Sequence, residues 1–190
     1  LMDDTCMVES VQLFTALLAL AALSGTLALA CALATRKRSQ LAKNFLDAVA
    51  PSALLLAALI SVATMAGSLY FSEIANYTPC KLCWYQRIAA FSLALVLPGI
   101  AWKRNTKAAA HLLVLPAAGM VVSTYHWVIE HYPSIKSSSC EVTAPCTAIW
   151  FEKFGFLTLS SMAWISFAAT ITLIIASLTF KDAFETEASL

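Results

Sequence analysis

The sequence predicts an all-α integral membrane protein with five membrane-spanning helices. Of its 190 residues, 60% are apolar and only 12% are charged, whereas about a quarter of the residues in a typical soluble domain are charged. The mean hydropathy is +0.77. Five apolar stretches are each long enough to cross the hydrocarbon core, which takes about 20 helical residues. The net charge of +1, without a basic stripe, gives no indication of nucleic-acid binding.

The predicted spans follow the apolar stretches in chain order. They cover residues 11–35, 48–71, 84–102, 108–130 and 156–180. The first stretch is too long for a cleaved signal peptide, and acidic Asp3, Asp4 and Glu9 precede it where a signal peptide has basic residues. Pro116 lacks a backbone N–H, so we expect it to kink the fourth span.

Lysine and arginine residues between the spans predict the orientation of the chain. They concentrate after the first, third and last spans, as Arg36, Lys37, Arg38, Lys43, Lys103, Arg104, Lys107 and Lys181. By the positive-inside rule these segments lie in the cytoplasm, which places the N-terminus outside and the C-terminus inside. Residues 1–47 would then hold an extracytoplasmic tail, an additional helix and a cytoplasmic loop. Residues 48–180 would form the main membrane domain, and 181–190 a cytoplasmic tail.

Four of the six cysteines lie in polar connections on the predicted outer side, as the pairs Cys80/Cys83 and Cys140/Cys146. Paired cysteines on an oxidising side of a membrane indicate disulfides, and thiols on one face can exchange disulfides with one another. A disulfide within C-x-x-C closes a very small ring and constrains the chain little. This favours a redox role for the first pair.

Two other interpretations of the four cysteines remain open at this point. They would suit a tetrahedral zinc site, although an extracytoplasmic location favours disulfides and we predict no metal. They would also suit two purely structural disulfides. Cys6 in the N-terminal tail and Cys31 inside an apolar run receive no predicted role.

Cys83 is predicted to open a helix at the edge of the membrane, one turn deeper than Cys80. Helix N-terminal amides favour a thiolate, and Arg87 follows four residues later on the same helical face. Arg87 would stabilise that thiolate or polarise a carbonyl oxygen; alternatively it would extend to lipid headgroups. A lipid-soluble oxidant would meet Cys83 first. A quinone fits, because it takes up the two electrons and two protons that closing one disulfide releases.

His126 lies at the outer end of the fourth span, near Glu130. We predict that it donates a hydrogen bond to a quinone oxygen or relays a proton. A structural histidine that only forms hydrogen bonds with its neighbours at the membrane interface fits the position equally well. The sequence does not distinguish ubiquinone from menaquinone.

Aromatic residues crowd the segment before the last span, where Trp150, Phe151, Phe154 and Phe156 surround a charged pair. This composition predicts a short helix lying in the membrane interface, where aromatic rings are favoured. The alternative is that the rings only form an aromatic belt at the top of the last span.

The segment around the first cysteine pair resembles the signature of the disulfide bond formation protein B (DsbB) family, in particular its BdbC-type branch. That segment reads Thr78-Pro79-Cys80-Lys81-Leu82-Cys83-Trp84-Tyr85-Gln86-Arg87-Ile88. The second cysteine pair, Tyr125-His126 and the segment from Phe154 to Leu159 also resemble that branch. The resemblance covers roughly residues 48–180.

This resemblance implies a four-helix transmembrane bundle, here with one extra N-terminal transmembrane helix, in a bacterial inner membrane. It implies reoxidation of a soluble, DsbA-like thioredoxin-fold oxidase and transfer of electrons to a quinone, ubiquinone or menaquinone. By position, Cys83 would face the quinone beside Arg87, with Cys80 as its disulfide partner. Cys140/Cys146 would meet the soluble oxidase. The oxidase would attack Cys140, leaving Cys146 to exchange with Cys80.

The predicted function is therefore that of a membrane thiol:quinone oxidoreductase. Two alternatives belong to other classes: a transmembrane conduit that delivers reductant, and a non-enzymatic membrane scaffold with structural disulfides. The fifth span departs from the four-span family pattern. Five-span relatives of vitamin K epoxide reductase are functional analogues, but their cysteines stand in a different sequence context.

Overall fold

The computed structural model describes residues 2–132 and 145–187, and the regular secondary structure of these residues is helical. Seven α-helices are present in this part of the chain: α1 (Met2–Thr35), α2 (Gln40–Val49), α3 (Ala53–Leu69), α4 (Lys81–Trp102), α5 (Thr106–His111), α6 (Val114–His131) and α7 (Leu159–Glu187). A 3₁₀ turn, Ala50–Ser52, joins α2 to α3, and a π-helical turn, Tyr70–Ile74, extends α3.

The described residues contain five helical segments long and apolar enough to cross a membrane, as predicted. They are Cys6–Thr35, Gln40–Ile74, Lys81–Trp102, Thr106–His131 and Leu159–Phe180. The second span begins earlier than predicted because α2 occupies much of the connection expected to be a loop. Ser39 caps α2 by accepting a hydrogen bond from the Ala42 amide, at 3.4 Å, so the turn before α2 is short.

The fourth span is broken near Pro116, which confirms the predicted kink. Pro116 has no N–H to donate to the carbonyl of Leu112, and its ring would clash with that carbonyl in a continuous helix. Helix α5 therefore ends at His111 and α6 begins at Val114. Across the break, the Leu115 amide bonds to the Leu112 carbonyl at 3.0 Å in 3₁₀ fashion.

Helices α3, α4, α6 and α7 form a four-helix bundle with α1 added on the outside. Within the bundle α3 packs against α4 and α7, and α6 packs against the same two helices. Helix α1 packs mainly along α7, where Ala16 is fully buried beside Ile165. The predicted bundle with one extra N-terminal helix is therefore confirmed. At the centre, a Cβ on Gly119 would lie 2.5 Å from the Phe167 ring, so only glycine lets these helices approach so closely.

The bundle has two chemically different ends. At one end, Leu29, Leu46 and Leu97 share an apolar cluster close to the basic turns. At the other end, Cys80 and Cys146 share a buried cluster. The described cysteines of the two predicted redox pairs thus lie at one end of the molecule.

The aromatic segment before α7 does not form the predicted interface helix. Phe154 and Gly155 adopt positive φ angles of 56° and 76°, and the chain folds back so that Lys153 pairs with Leu157. The Lys153 amide bonds to the Leu157 carbonyl at 3.0 Å, and the reverse bond measures 2.9 Å. Gly155 permits this left-handed turn. The turn lets Trp150 stack on Tyr77 of the facing loop, with 4.9 Å between ring centroids.

Candidate functional site

The site begins at the N-terminus of α4, where Cys80 is the N-cap residue. Cys80 has the extended backbone typical of this position, and its sulfur accepts a hydrogen bond from the Cys83 amide at 3.3 Å. The two sulfur atoms lie 2.9 Å apart, so a disulfide between them needs only a small movement. The predicted partnership of these cysteines thus has the required geometry.

The helix favours the Cys80 thiolate, and not that of Cys83 as the sequence suggested. Helix α4 begins at Lys81, two residues before the predicted start at Cys83, so Cys80 is the N-cap residue. The pKa of Cys80 is lowered from 9.0 to about 4, and the largest cause is a hydrogen bond from the Cys83 thiol. His126 adds to this effect, and burial opposes it. Reduced Cys80 is therefore a thiolate at neutral pH.

His126 lies beside Cys80. Its Nε2 atom is 3.7 Å from the Cys80 sulfur, and its Nδ1 atom is 3.1 Å from the side-chain nitrogen of Gln86. An amide N–H can only donate, so Nδ1 accepts and Nε2 carries the proton that faces the sulfur. His126 is not among the residues that line the large cavity described below. Its contact with a quinone oxygen stays a prediction.

Glu130 extends this polar group away from the cysteines. One carboxylate oxygen lies 3.5 Å from His126 Nε2, and the other accepts hydrogen bonds from the hydroxyls of Thr158 and Ser160. All four residues are buried. Sequence reasoning assigned no role to Glu130 or Gln86. The spacing of four between His126 and Glu130, on one face of a membrane helix, was the available signal.

On the other side of the pair, Cys83 faces a partly open cavity of about 410 Å³ between α1, α3, α4 and α7. Most of its lining is apolar, and Gln86 and Arg87 contribute polar atoms next to Cys83. Tyr77 and Trp150 line its outer end, while Leu59, Ile60 and Ala22 lie nearer the middle of the spans. A cavity of this size and character is suited to a flat, largely apolar molecule with a few polar atoms.

Arg87 is held in the wall of this cavity and is buried. Its Nε atom donates to the Ser68 hydroxyl at 3.0 Å, and an Nη atom donates to the Ser68 carbonyl at 2.9 Å. The guanidinium also lies over the rings of Trp84 and Phe91, at 5.2 and 5.8 Å. Arg87 therefore does not extend to lipid headgroups, which was the alternative interpretation from the sequence. Instead, its charge is fixed one helical turn from Cys83.

Cys146 lies against the first pair. It is buried in the same cluster as Cys80, it is disulfide-bonded, and its backbone contacts the imidazole of His126. Cys140 lies outside the described residues, so its predicted roles stay predictions. A sulfur in a disulfide is not a zinc thiolate, which argues against the four-cysteine zinc site. Among the described residues, Cys80, Cys83 and His126 place their ligand atoms within 4.8 Å of one another.

Comparison with known proteins agrees with this arrangement. The family profile described as "Disulfide bond formation protein DsbB" matches residues 50–180. "Probable disulfide formation protein" of Oceanobacillus iheyensis is 38% identical over 105 residues, 54% of this chain and 72% of that protein. "Disulfide bond formation protein C" of Bacillus subtilis is 34% identical over 113 residues, 59% of this chain and 82% of that protein. No solved structure gives a significant match.

Proposed function

Because this chain belongs to the DsbB family of disulfide bond formation proteins, we propose that it is a membrane thiol:quinone oxidoreductase. Its donor is an extracytoplasmic, DsbA-like thioredoxin-fold oxidase in the reduced state, and its acceptor is a quinone dissolved in the membrane. Electrons pass from that oxidase to Cys140/Cys146, then to Cys80/Cys83, then to the quinone. The protein thereby keeps the soluble oxidase able to form disulfides in other proteins.

One observation carries this proposal: two sulfurs 2.9 Å apart face opposite surroundings. Cys80 adjoins buried polar groups and Cys146, as a thiol that exchanges disulfides with another pair requires. Cys83 lines an apolar cavity within the spans, as a thiol that meets a lipid-soluble oxidant requires. When the two sulfurs form and break one disulfide bond, this pair can pass electrons between the two environments.

The transfer between the two cysteine pairs proceeds by disulfide exchange. The reduced oxidase opens the Cys140–Cys146 disulfide by attacking Cys140, and the Cys146 thiolate then attacks the sulfur of Cys80. Cys83 is released, and a Cys80–Cys146 mixed disulfide forms. Cys140, once freed from the oxidase, attacks Cys146 and expels Cys80. A thiol of low pKa leaves readily, so the low pKa of Cys80 favours this last step.

The residues around Cys83 fit a quinone. When bound, a quinone accepts the two electrons that closing the Cys80–Cys83 disulfide releases, together with two protons. Arg87 would lie beside the ring, since it is fixed to Ser68 and lines the same cavity. Gln86 joins this cavity to His126, which carries a proton near Cys80. Since reduced Cys80 is a thiolate, His126 would relay one of the two protons that the quinone takes up.

The membrane orientation supports this assignment. The basic turns lie at the end of the bundle opposite Cys80 and Cys146. With those turns in the cytoplasm, the N-terminus is outside, the C-terminus is inside, and the cysteines face the extracytoplasmic side. We propose the bacterial inner membrane as the location, where such a face is oxidising.

A reconstitution tests the function. The purified protein is mixed with a reduced thioredoxin-fold oxidase and either ubiquinone or menaquinone, and quinone absorbance is followed with time. We expect one quinone reduced for each disulfide formed in the oxidase. Cys83→Ala should abolish the reaction, whereas Cys31→Ala, which changes an exposed cysteine far from the site, should leave it unchanged.

Full turnover in Cys83→Ala would reject the proposed route. A wild-type protein that reduces neither quinone would reject the function itself. If the protein instead drives the oxidase towards its reduced form when given a quinol, electrons flow in the direction of a reductant conduit.

A further inference from the structure

Helix α1 lies outside the family match, which begins at residue 50. We propose that α1 completes the quinone site and forms, together with α3, a lateral opening through which the quinone enters from the bilayer. This inference rests on the proposed function. It adds a substrate-binding element that the four-helix bundle alone does not supply.

One face of α1 lines the cavity. Its four lining residues are Thr15, Leu18, Ala19 and Ala22. Their spacing of i, i+3, i+4 and i+7 forms a single stripe along a helix. Without this stripe, the side of the cavity opposite Cys83 would be open to lipid over about two turns, so α1 converts a surface groove into a pocket.

The opening lies between α1 and α3. Leu18 and Leu59 both line the cavity, yet they are 50% and 56% exposed. Each lies well inside a span, so the medium outside them is the hydrocarbon core. Helix α1 packs mainly on α7, which leaves its α3 side free to admit a molecule. An isoprenoid tail, being apolar and flexible, suits a gap edged by leucines.

Side chains of α1 and of the two loops near the cysteines cover the aqueous end of the same cavity. Buried Gln12 of α1 donates a hydrogen bond to the Tyr77 hydroxyl at 2.7 Å, and Tyr77 stacks on Trp150. Tyr77 and Trp150 both line the cavity at this end. Helix α1 thus helps to close the water side while it borders the lipid side. The lateral gap is the route these contacts leave for a quinone.

Matched tryptophan substitutions test the opening. Leu18→Trp and Leu59→Trp place a bulky ring in the gap. Leu17→Trp and Leu55→Trp place the same ring on neighbouring leucines, 51% and 57% exposed, that do not line the cavity. Each variant is reconstituted in vesicles that contain a long-chain quinone. We expect the first two to lower kcat/KM for quinone about tenfold, within the range by which association rates vary among related complexes. The controls should match wild type.

Disulfide exchange with the soluble oxidase, measured without quinone, should be unchanged in all four variants. If wild type reduces quinone and Leu18→Trp behaves like Leu17→Trp, the lateral opening is wrong while the oxidoreductase function stands. If wild type reduces no quinone, the function fails first.

A second measurement does not depend on whether these variants fold. A long-chain quinone with a photoreactive tail is irradiated with the wild-type protein in vesicles, and labelled peptides are sequenced. Labelling of α1 between residues 15 and 22 that excess unlabelled quinone suppresses supports the proposal. Labelling of α1 that unlabelled quinone does not suppress would mean that the gap holds only lipid chains, and would overturn it.

Discussion

Cys80 and Cys83 are neighbours on the same helical turn, yet their surroundings differ as much as any two regions of this molecule. Cys80 lies against His126 and, through it, a buried carboxylate. Cys83 lines an apolar cavity with a fixed guanidinium in its wall. One C-x-x-C pair can therefore serve two environments when a helix N-terminus lies at the boundary between them.

The start of α4 creates this difference. As N-cap, Cys80 remains outside the helix and turns its sulfur back towards the Cys83 amide, next to α6. Cys83 is the third residue of the helix, so its side chain points to the groove between α4 and α3. If α4 began at Cys83 instead, Cys80 would lie in the loop without the N-cap position, and this distinction would be lost.

The largest expected effect is on the cavity side, in Arg87→Lys. Lysine cannot reproduce the pair of bonds to the Ser68 hydroxyl and carbonyl. Losing one hydrogen bond to a charged group costs about 2 kcal/mol, so kcat/KM for quinone should fall roughly 30-fold. Disulfide exchange at Cys80 should be unaffected. Steady-state quinone reduction measures this, with exposed Arg38→Lys as the control. An equal loss in disulfide exchange would mean that the two environments are not separable.

An intermediate effect is expected on the Cys80 side, in His126→Ala. The variant removes the hydrogen bond from His126 Nε2 that helps to hold the pKa of Cys80 at about 4. That pKa should rise. Because the thiolate is the reactive form above its pKa, alkylation of reduced Cys80 should slow about tenfold at pH 5 and little at pH 9.

The pH profile of alkylation, read by mass spectrometry of Cys80, measures this change. His111→Ala alters an exposed histidine in α5 and is the matched control. A profile that does not move in His126→Ala would show that the Cys83 thiol alone sets the pKa of Cys80.

The smallest effect is expected in Glu130→Gln. Glutamine keeps one oxygen that can accept from Thr158 and Ser160, but it no longer presents a carboxylate oxygen to His126. Losing one ordinary hydrogen bond, about 0.7 kcal/mol or half a pKa unit, should raise the pKa of Cys80 slightly above its value of about 4, so alkylation of Cys80 should slow only about 1.2-fold at pH 5 and about threefold at pH 3. The same assay measures it, with exposed Glu73→Gln as the control. A loss as large as in His126→Ala would mean that His126 supports the Cys80 thiolate only while Glu130 holds it, whereas faster alkylation would mean that the charge of Glu130 acts on Cys80 directly.

The sequence was sufficient for the spans and the family, and less so for the site. Hydropathy located five spans, and the missing amide of Pro116 located the break in the fourth. The sequence-based prediction was wrong for the aromatic segment before α7. Its composition favours an interfacial helix, whereas Gly155 allows the chain to reverse direction in a tight turn. The prediction also assigned the helix N-terminus to Cys83, because a two-residue shift in a helix start is not encoded in apolar content.

What the sequence alone determined is a membrane protein with a C-x-x-C pair at a span boundary, since apolar length and cysteine spacing are local properties of the chain. Only the tertiary structure decided which sulfur faces polar groups and which faces the cavity. His126 contacts Cys80, Arg87 bonds to Ser68, and α1 lines the cavity, through contacts between residues distant in sequence. Such contacts depend on how helices pack side by side, and no single stretch of sequence specifies that packing.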